Sequence, residues 1–265
     1  MKQMKHRKKI LLTQLVVLTA MLVLFIAETT MAASDYREKA YVNVRTSLNL
    51  REQPTTKSNV IGKLAPGELV TLLQGNVETD TWVEVATQDG EKGYVSTKYL
   101  KMPRMNQEDY EVVSVAVITA ESSSENRNFN MSKACESLNG MIMFSGDRFD
   151  WYSEHGVGEA SLERGYKKAT VISGGKYVTG EGGGVCQVST ALYNCIYKLG
   201  IEPDELHHHS KTSSYVAKGM DATVAYSDNK DYMKDFVFTN TLDYTLIFEA
   251  YADGPQVVVV AYKER

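Results

Sequence analysis

The stretch GEGGGVCQVSTALYN, residues 180–194, decides the architecture of the second half of the chain. Three consecutive glycines run into apolar residues that repeat at helical spacing as far as Leu199, and Gly200 then provides a stop. The spacing predicts a helix over residues 185–199 whose apolar stripe faces a core. Cys195 lies on that stripe, whereas Cys186 lies about 100° from Val185 and away from the stripe.

The segments on both sides of this helix have the pattern of β-strands. EVVSVAVIT at 111–119 precedes it, and KDFVFTNT, YTLIFEAYA and PQVVVVAYK follow it between residues 234 and 263. Turn-forming pairs separate the last three runs, so we predict that they form an antiparallel meander. Helices packed on a largely antiparallel sheet give an α+β domain, which we place at residues 111–263.

Two further elements are predicted between the first strand and the helix. FNMSKACESLNG at 129–140 indicates a short helix with Asn130 as its N-cap and Asn139-Gly140 as its end. Cys135 lies on the inner face of that helix, and we interpret it as a buried apolar residue. The run VISGGKYV at 171–178 predicts a β-hairpin.

Residues 38–102 have a different character, with short β segments separated by turn residues. Strands this short and numerous within about 60 residues predict a small β-barrel. For Trp82 and Tyr94 two interpretations stay open, because an aromatic ring can fill the core or recognise a ligand at the surface. The predicted barrel core consists of Leu48, Leu50, Val60, Ile61, Leu64, Val70, Leu72, Trp82, Val83, Val85, Tyr94, Val95 and Leu100.

The runs LNLREQPTTKSNVIGKLAPGELVTLL, TWVEV and GEKGYVSTKYL in this region resemble a bacterial SH3-like domain. The resemblance covers nearly all of residues 41–102. It implies a module that binds peptidoglycan or another cell-wall polymer. The polar segment at residues 103–110 is then the predicted linker to the second domain.

Residues 1–33 have the composition of an export segment, with a basic run, an apolar run of about 18 residues and then small residues. We predict a signal peptide or an N-terminal membrane anchor, and therefore a secreted or cell-surface, extracytoplasmic protein. The rest of the chain has 24 basic and 32 acidic residues, a net charge near −8. This balance argues against nucleic acid and against membrane contact beyond the N-terminal segment, and it fits a wall glycan better.

Cys186 has the sequence context of a nucleophile. The first turn of a helix stabilises a thiolate through unpaired N–H groups and the helix dipole, and the glycines at 182–184 leave room for a substrate carbonyl. A cysteine nucleophile needs a base with an orienting partner, and the chain offers His209 and Asp221. The order Cys186, His209, Asp221 is similar to papain-like and transglutaminase-like cysteine enzymes.

Two alternatives to catalysis stay open. In one, the glycines only permit a tight turn, Cys186 is only a small helix-opening residue and the histidine run caps a surface loop. In the other, His207 and His209 share a face of an extended segment, and His208 points away. These two histidines then bind zinc together with Cys186 or Glu181. No HExxH or paired CxxC spacing supports zinc, and we predict neither a metal nor another cofactor.

The motifs between Ser122 and Asn240 resemble the VanW family: NRNFNM, LNGMIMFSGDRFDW, GYKKATVI, GEGGGVCQVSTALYN, SYVAKGMDATV and FVFTN. The resemblance implies an exported, wall-facing factor of the kind found in Gram-positive bacteria. Two functions follow: a cysteine-dependent enzyme acting on wall peptide or amide bonds, or a non-catalytic module that binds peptidoglycan or a partner protein. The resemblance also implies substrate-binding candidates: Gly182, Gly183, Gly184, Gln187, Ser189, Thr190, Tyr193 and Ser210.

Overall fold

The computed structural model describes residues 37–229 and 231–265. The predicted export segment at residues 1–33 lies outside these described residues. Within the described part of the chain, no helix is long and apolar enough to cross a membrane. Residues Glu38–Arg265 form one compact unit that contains two main sheets, two helices and smaller β elements.

The first main sheet is the predicted barrel. Its strands are β1 (Lys39–Val42), β2 (Leu48–Arg51), β3 (Val60–Leu64), β4 (Leu69–Gln74), β5 (Trp82–Ala86), β6 (Lys92–Ser96) and β7 (Leu100–Lys101). They pair antiparallel in the order β3-β2-β6-β5-β4-β1-β7. Most of the predicted core is buried, including Leu50, Val83 and Val85, and these side chains form one apolar cluster.

Four of the predicted core residues of the barrel are not buried. Val60 and Ile61 are 47% and 42% exposed, because β3 lies at the sheet edge and pairs only with β2. Trp82 and Tyr94 are partly exposed, because the valine that follows each of them points inward and successive strand residues face opposite sides. Their rings therefore lie on the outer surface of the barrel, and the core-filling interpretation is wrong for both.

The second part of the chain is the predicted α+β domain. Its strands and helices are β8 (Tyr110–Thr119), α1 (Glu125–Leu138), β9 (Ile142–Met143), β10 (Arg148–Asp150), β11 (Lys168–Ser173), β12 (Lys176–Glu181), α2 (Val185–Tyr197), β13 (Pro203–Glu205), β14 (Val237–Thr239), β15 (Leu246–Asp253) and β16 (Gln256–Glu264). The second main sheet has the order β8-β16-β15-β9. The hairpin β11–β12 forms across Gly174 and Gly175, as predicted.

The two faces of this second sheet bury different partners. On one face, Ala116 and Ile118 of β8 belong to a large apolar cluster with both helices. On the other face, Val115 and Val117 pack in a cluster that contains Tyr41 of the barrel. A strand that is apolar on both sides of its pleat is therefore covered by helices on one side and by the barrel on the other.

The predicted three-stranded meander is wrong in one respect. Strands β15 and β16 form a hairpin across Asp253 and Gly254, as predicted, but β14 lies in a separate sheet between β10 and β13. The other neighbour of β16 is β8, where Val258 pairs with Val117. The local apolar pattern cannot predict the pairing of β16 with β8, because strands so far apart in sequence are brought together by packing of the whole domain.

The start of α1 also differs from the prediction. Its N-cap is Ser124, whose Oγ accepts a hydrogen bond from the backbone N–H of Arg127 at 3.3 Å. Asn130 is instead a buried helical residue whose Nδ2 donates to the carbonyl oxygens of Lys167 and Gly183, at 2.8 and 3.0 Å. The predicted end at Asn139 is confirmed. Helix α2 begins at Val185 as predicted and ends two residues before the predicted Leu199.

Candidate functional site

Cys186 lies in the first turn of α2, directly after the glycine loop. Gly184 is the N-cap residue, with φ +114°, and no side chain caps this end of the helix. A Cβ atom at Gly184 would lie 2.9 Å from Cγ of Arg127, and one at Gly183 would lie 2.6 Å from the carbonyl oxygen of Thr170. The glycines therefore permit close packing within the protein itself, as the tight-turn alternative expects. They do more than leave room for a substrate.

The three cysteines have different surroundings, and all are free. Burial raises the pKa of the Cys135 thiol to about 12 and that of Cys195 to about 11. Cys186 is only partly buried, and its Sγ lies 3.4 Å from the carbonyl oxygen of Val224. The predicted division into two core cysteines and one in a different environment is confirmed.

His209 and Asp221 form a buried pair beside Cys186. Nδ1 of His209 lies 2.7 Å from Oδ2 of Asp221, and the backbone N–H of His209 donates to the same oxygen at 2.8 Å. Both side chains are only 8% exposed. Because an ionised carboxylate only accepts hydrogen bonds, Nδ1 carries the proton, and Nε2 is the nitrogen left for Cys186.

The pKa values of His209 and Asp221 shift in opposite directions, because each group stabilises the charged form of the other. Burial lowers the pKa of His209, but the hydrogen bond and charge of Cys186, followed by those of Asp221, outweigh it and leave that pKa raised. Burial raises the pKa of Asp221, but the hydrogen bonds and charge of His209 leave it lowered. The carboxylate of Asp221 therefore stabilises the imidazolium that forms when His209 accepts a proton.

The other histidines of the run have different partners. Nδ1 of His208 lies 2.8 Å from the carbonyl oxygen of Asp221, and its side chain is 48% exposed. His207 Nε2 lies 2.8 Å from Oε1 of Glu205. His207 and His209, which were predicted to share a face, contact different acids, Glu205 and Asp221. Within the described ranges, no group of three or more His, Cys, Asp or Glu side chains has an arrangement that could hold a metal ion.

Cys186 and His209 line a cleft of about 900 Å³. Tyr152 and Tyr215 are two further lining residues, and the pKa of each is raised, first by burial and then by the charge of Cys186. Both phenols are therefore neutral hydrogen-bonding groups close to the sulfur. Gly182, Gly183 and Gly184 line the same cleft, and so does Arg127.

Four of the predicted substrate-binding residues are buried in the core and do not line the cleft: Gln187, Ser189, Thr190 and Tyr193. The Oγ of Ser189 donates to the carbonyl oxygen of Ala222 at 2.7 Å. Thr190 Oγ1 donates to the carbonyl oxygen of Cys186 at 2.7 Å and accepts from the backbone N–H of Ala222 at 3.1 Å. These bonds join the start of α2 to the segment that follows Asp221, so they position the site instead of contacting a ligand.

Gln187 and Tyr193 are also buried, at 0% and 6% exposure. The ring of Tyr193 packs against Tyr197 and Phe236. Ser210 is exposed and is not a lining residue of the cleft. The sequence pattern cannot predict which polar residues of α2 line the cleft, because the fold also buries polar residues of this helix.

Sequence reasoning did not assign a role to Arg127, Tyr152 or Tyr215. A signal for two of them was present, since Arg127 lies in NRNFNM and Tyr215 in SYVAKGMDATV, two of the motifs that carry the family resemblance. Tyr152 and Tyr215 lie in loops that line the cleft, and these loops have no periodic pattern from which a side-chain direction could be predicted, whereas Arg127 lies in the first turn of α1.

Comparisons with known proteins agree with this fold. The family model described as "VanW like protein" matches residues 126–262, more than half of the chain, and the model described as "Bacterial SH3 domain" matches residues 46–101. The chain therefore belongs to the VanW family and carries a bacterial SH3 domain before the VanW region. This combination supports a cell-wall-associated, extracytoplasmic protein.

Two relatives align with the chain. It is 29% identical over 141 residues to "Uncharacterized protein YoaR" of Bacillus subtilis (strain 168), covering 53% of this chain and 44% of the relative. It is also 29% identical over 106 residues to "Vancomycin B-type resistance protein VanW" of Enterococcus faecalis (strain ATCC 700802 / V583), covering 38% of each. The alignments thus span less than half the length of these curated relatives.

Proposed function

We propose that the VanW region is a cysteine-dependent acyl-transfer enzyme that acts on peptide or amide bonds of the cell wall. The observation that carries the proposal is the buried hydrogen-bonded pair of His209 and Asp221, whose Nδ1 and Oδ2 atoms lie 2.7 Å apart, beside a partly exposed cysteine in the first turn of a helix. A nucleophile, a base and a residue that orients the base are the three groups that thiol acyl transfer requires.

The proposed reaction starts with transfer of the Cys186 proton to Nε2 of His209. The sulfur then attacks the carbonyl carbon of the substrate, and a C–S bond forms. His209 returns the proton to the amine nitrogen as the C–N bond breaks, so an amine leaves and a thioester remains. Water or a second amine then attacks the thioester, its proton passes to His209, and the thiol is restored when the C–S bond breaks.

The negative charge on the carbonyl oxygen needs hydrogen-bond donors during this attack. Among the described residues, the backbone N–H of Cys186 has no hydrogen-bond acceptor, and the N-terminus of α2 has no side-chain cap. An uncapped N–H next to the nucleophile supports a role as an oxyanion donor, and the helix dipole adds to its effect.

Turnover of wall fragments tests the catalytic proposal. Purified peptidoglycan, digested to disaccharide peptides, would be incubated with the protein, and the products would be identified by mass. We expect Cys186→Ser and His209→Ala to lower the rate by about a thousand-fold or more. His207→Ala is the matched control, because this neighbouring histidine pairs with Glu205 and should retain activity. Full activity in both variants would reject the proposal and favour the non-catalytic binding module.

The proposal gives the barrel the role of retaining the protein on peptidoglycan. The partly exposed rings of Trp82 and Tyr94 on its outer surface support this role, because aromatic rings are common in binding surfaces. We expect Trp82→Ala with Tyr94→Ala to reduce co-sedimentation with purified cell walls. Tyr232→Ala, an exposed aromatic residue outside the barrel, serves as the control. Unchanged co-sedimentation of the double variant would place wall binding elsewhere.

A further inference from the structure

Arg127 occupies an unusual position for a cation. It lies in the first turn of α1, whose N-cap is Ser124, and it lines the cleft that contains Cys186. A positive charge at a helix N-terminus opposes the helix dipole and destabilises the helix. Helix stability therefore does not explain an arginine at this position.

The position of the guanidinium group is fixed by a buried neutral partner. Nη2 of Arg127 donates to Oε1 of Gln187 at 3.0 Å. The amide of Gln187 is itself held, because its Nε2 donates to the carbonyl oxygens of Ile118 and Pro255, at 3.0 and 2.8 Å, and the residue is completely buried. Gln187 can therefore present only its oxygen to Arg127.

Most of the hydrogen-bonding capacity of Arg127 is unused. An arginine carries five N–H donors, and only the bond to Gln187 engages one of them within residues 37–229 and 231–265. None of the ion pairs among these residues includes Arg127. Three acids line the cleft: Glu121 pairs with Arg45, Glu181 accepts from the backbone N–H of Leu162, and Glu159 forms no ion pair with Arg127 among the described residues.

The Arg127 side chain lies close to the loop that carries the nucleophile. The side chain of Arg127 packs against Gly184, two residues before Cys186. The charges of Arg127 and Cys186 both act on the phenol of Tyr215, which lines the same cleft. A ligand group bound to the guanidinium would therefore lie near the scissile bond of a substrate held at the sulfur.

We propose that Arg127 forms a carboxylate-binding site in the cleft, so that the protein selects peptides that carry a free carboxylate near the reacting bond. A guanidinium fork matches a carboxylate with two parallel hydrogen bonds, which neither a neutral amide nor a sugar hydroxyl offers. The proposal rests on the proposed function for its substrate, a wall peptide, but the binding site can be tested without turnover.

The test uses the full chain with Cys186→Ala, so that no reaction consumes the ligand. The probes are N-acetyl-alanyl-alanine with a free carboxylate and the same dipeptide as its carboxamide, and binding is measured by NMR titration. We expect the acid to bind about ten-fold more tightly than the amide, the effect of one charge-assisted pair. Adding Arg127→Gln should bring the two affinities together. Adding Lys234→Gln, which removes the charge of another lining residue, should leave the preference intact.

Equal affinities for acid and amide, no measurable binding of either at millimolar concentration, or a preference that survives Arg127→Gln in a folded variant would each overturn the proposal. Loss of the preference in Lys234→Gln as well would assign it to the total charge of the cleft, which also overturns it. An acid preference that depends on Arg127, together with no turnover of wall fragments, would keep this site and reject the catalytic function.

Discussion

Asp221 shows how single residues prepare the site. Its carboxylate accepts the backbone N–H and Nδ1 of His209, and its carbonyl oxygen lies 2.8 Å from His208. One buried acid thus fixes both the tautomer and the direction of the imidazole. The cost of burying the charge is offset because two hydrogen bonds from His209 are already in place.

Replacement of Asp221 by asparagine should therefore affect stability in a pH-dependent way. The pKa of Asp221 is lowered from the ordinary 3.8, so the carboxylate stabilises the fold above that pH, and the contribution is lost as the pH falls through the lowered value. We expect Asp221→Asn to lose about 1.5–3 kcal/mol at neutral pH and progressively less as the pH falls below 3.8. Urea unfolding at several pH values measures this, with the exposed Asp89→Asn as control. A loss that does not vary with pH would contradict the account.

The sequence predicts part of this site and not the rest. The angular position of Cys186 on its helix separates it from Cys195, because helical periodicity is a local property. The same periodicity places Ser189 and Thr190 beside Cys186, yet both are buried by the segment that follows Asp221, more than 30 residues away. Arg127 was not predicted, because its partner Gln187 is equally remote in sequence.

At the scale of secondary-structure elements, the glycine loop sets where α2 begins. Gly184 has a positive φ of 114° and packs against Arg127 and Met131 of α1. The loop therefore fixes the distance between the two helices as well as the direction of α2. The predicted start of α2 is correct because this signal is local, whereas Asn130, the predicted N-cap of α1, instead bonds the distant carbonyl oxygens of Lys167 and Gly183.

Gly184→Ala tests the role of this contact. The new Cβ would meet Arg127 and Met131 at 2.9–3.1 Å in addition to the strain of a positive φ, so we expect a loss of about 2–4 kcal/mol. Gly200→Ala is the matched control, because its φ is +76° but no atom lies within 4 Å of the added carbon. It should lose only about 1–2 kcal/mol. Equal losses in thermal or urea unfolding would mean that crowding between the helices contributes nothing.

At the scale of the whole molecule, the barrel is fixed to the back of the second sheet. Tyr41 is 1% exposed, packs with Val258 and Val260, and its hydroxyl forms a hydrogen bond with that of Tyr251. An ion pair joins Arg104 to Glu249, whose side chain is 7% exposed. Gln107, in the predicted linker, exchanges two 2.9 Å hydrogen bonds with the backbone of Lys39. The segment predicted as a linker is thus part of the interface.

We expect the barrel and the α+β part to unfold together. Tyr41→Ala should cost about 3–5 kcal/mol, as for other buried aromatic residues, and should lower the midpoint of unfolding for both parts. Tyr99→Ala, 38% exposed, should change stability by less than about 0.5 kcal/mol. Hydrogen exchange resolved along the chain measures both parts at once. Protection lost only in residues 38–102 would show that the two parts unfold independently.

The most direct test of the thiol mechanism is the alkylation rate of each cysteine in the folded protein at neutral pH. We expect Cys186 to react with iodoacetamide at least about ten-fold faster than in a folded His209→Gln variant, because proton transfer to His209 creates the reactive thiolate. Cys135 and Cys195 should stay protected, since both are buried. If Cys186 reacts equally fast with and without His209, the histidine does not activate the thiol, and the proposed mechanism is wrong.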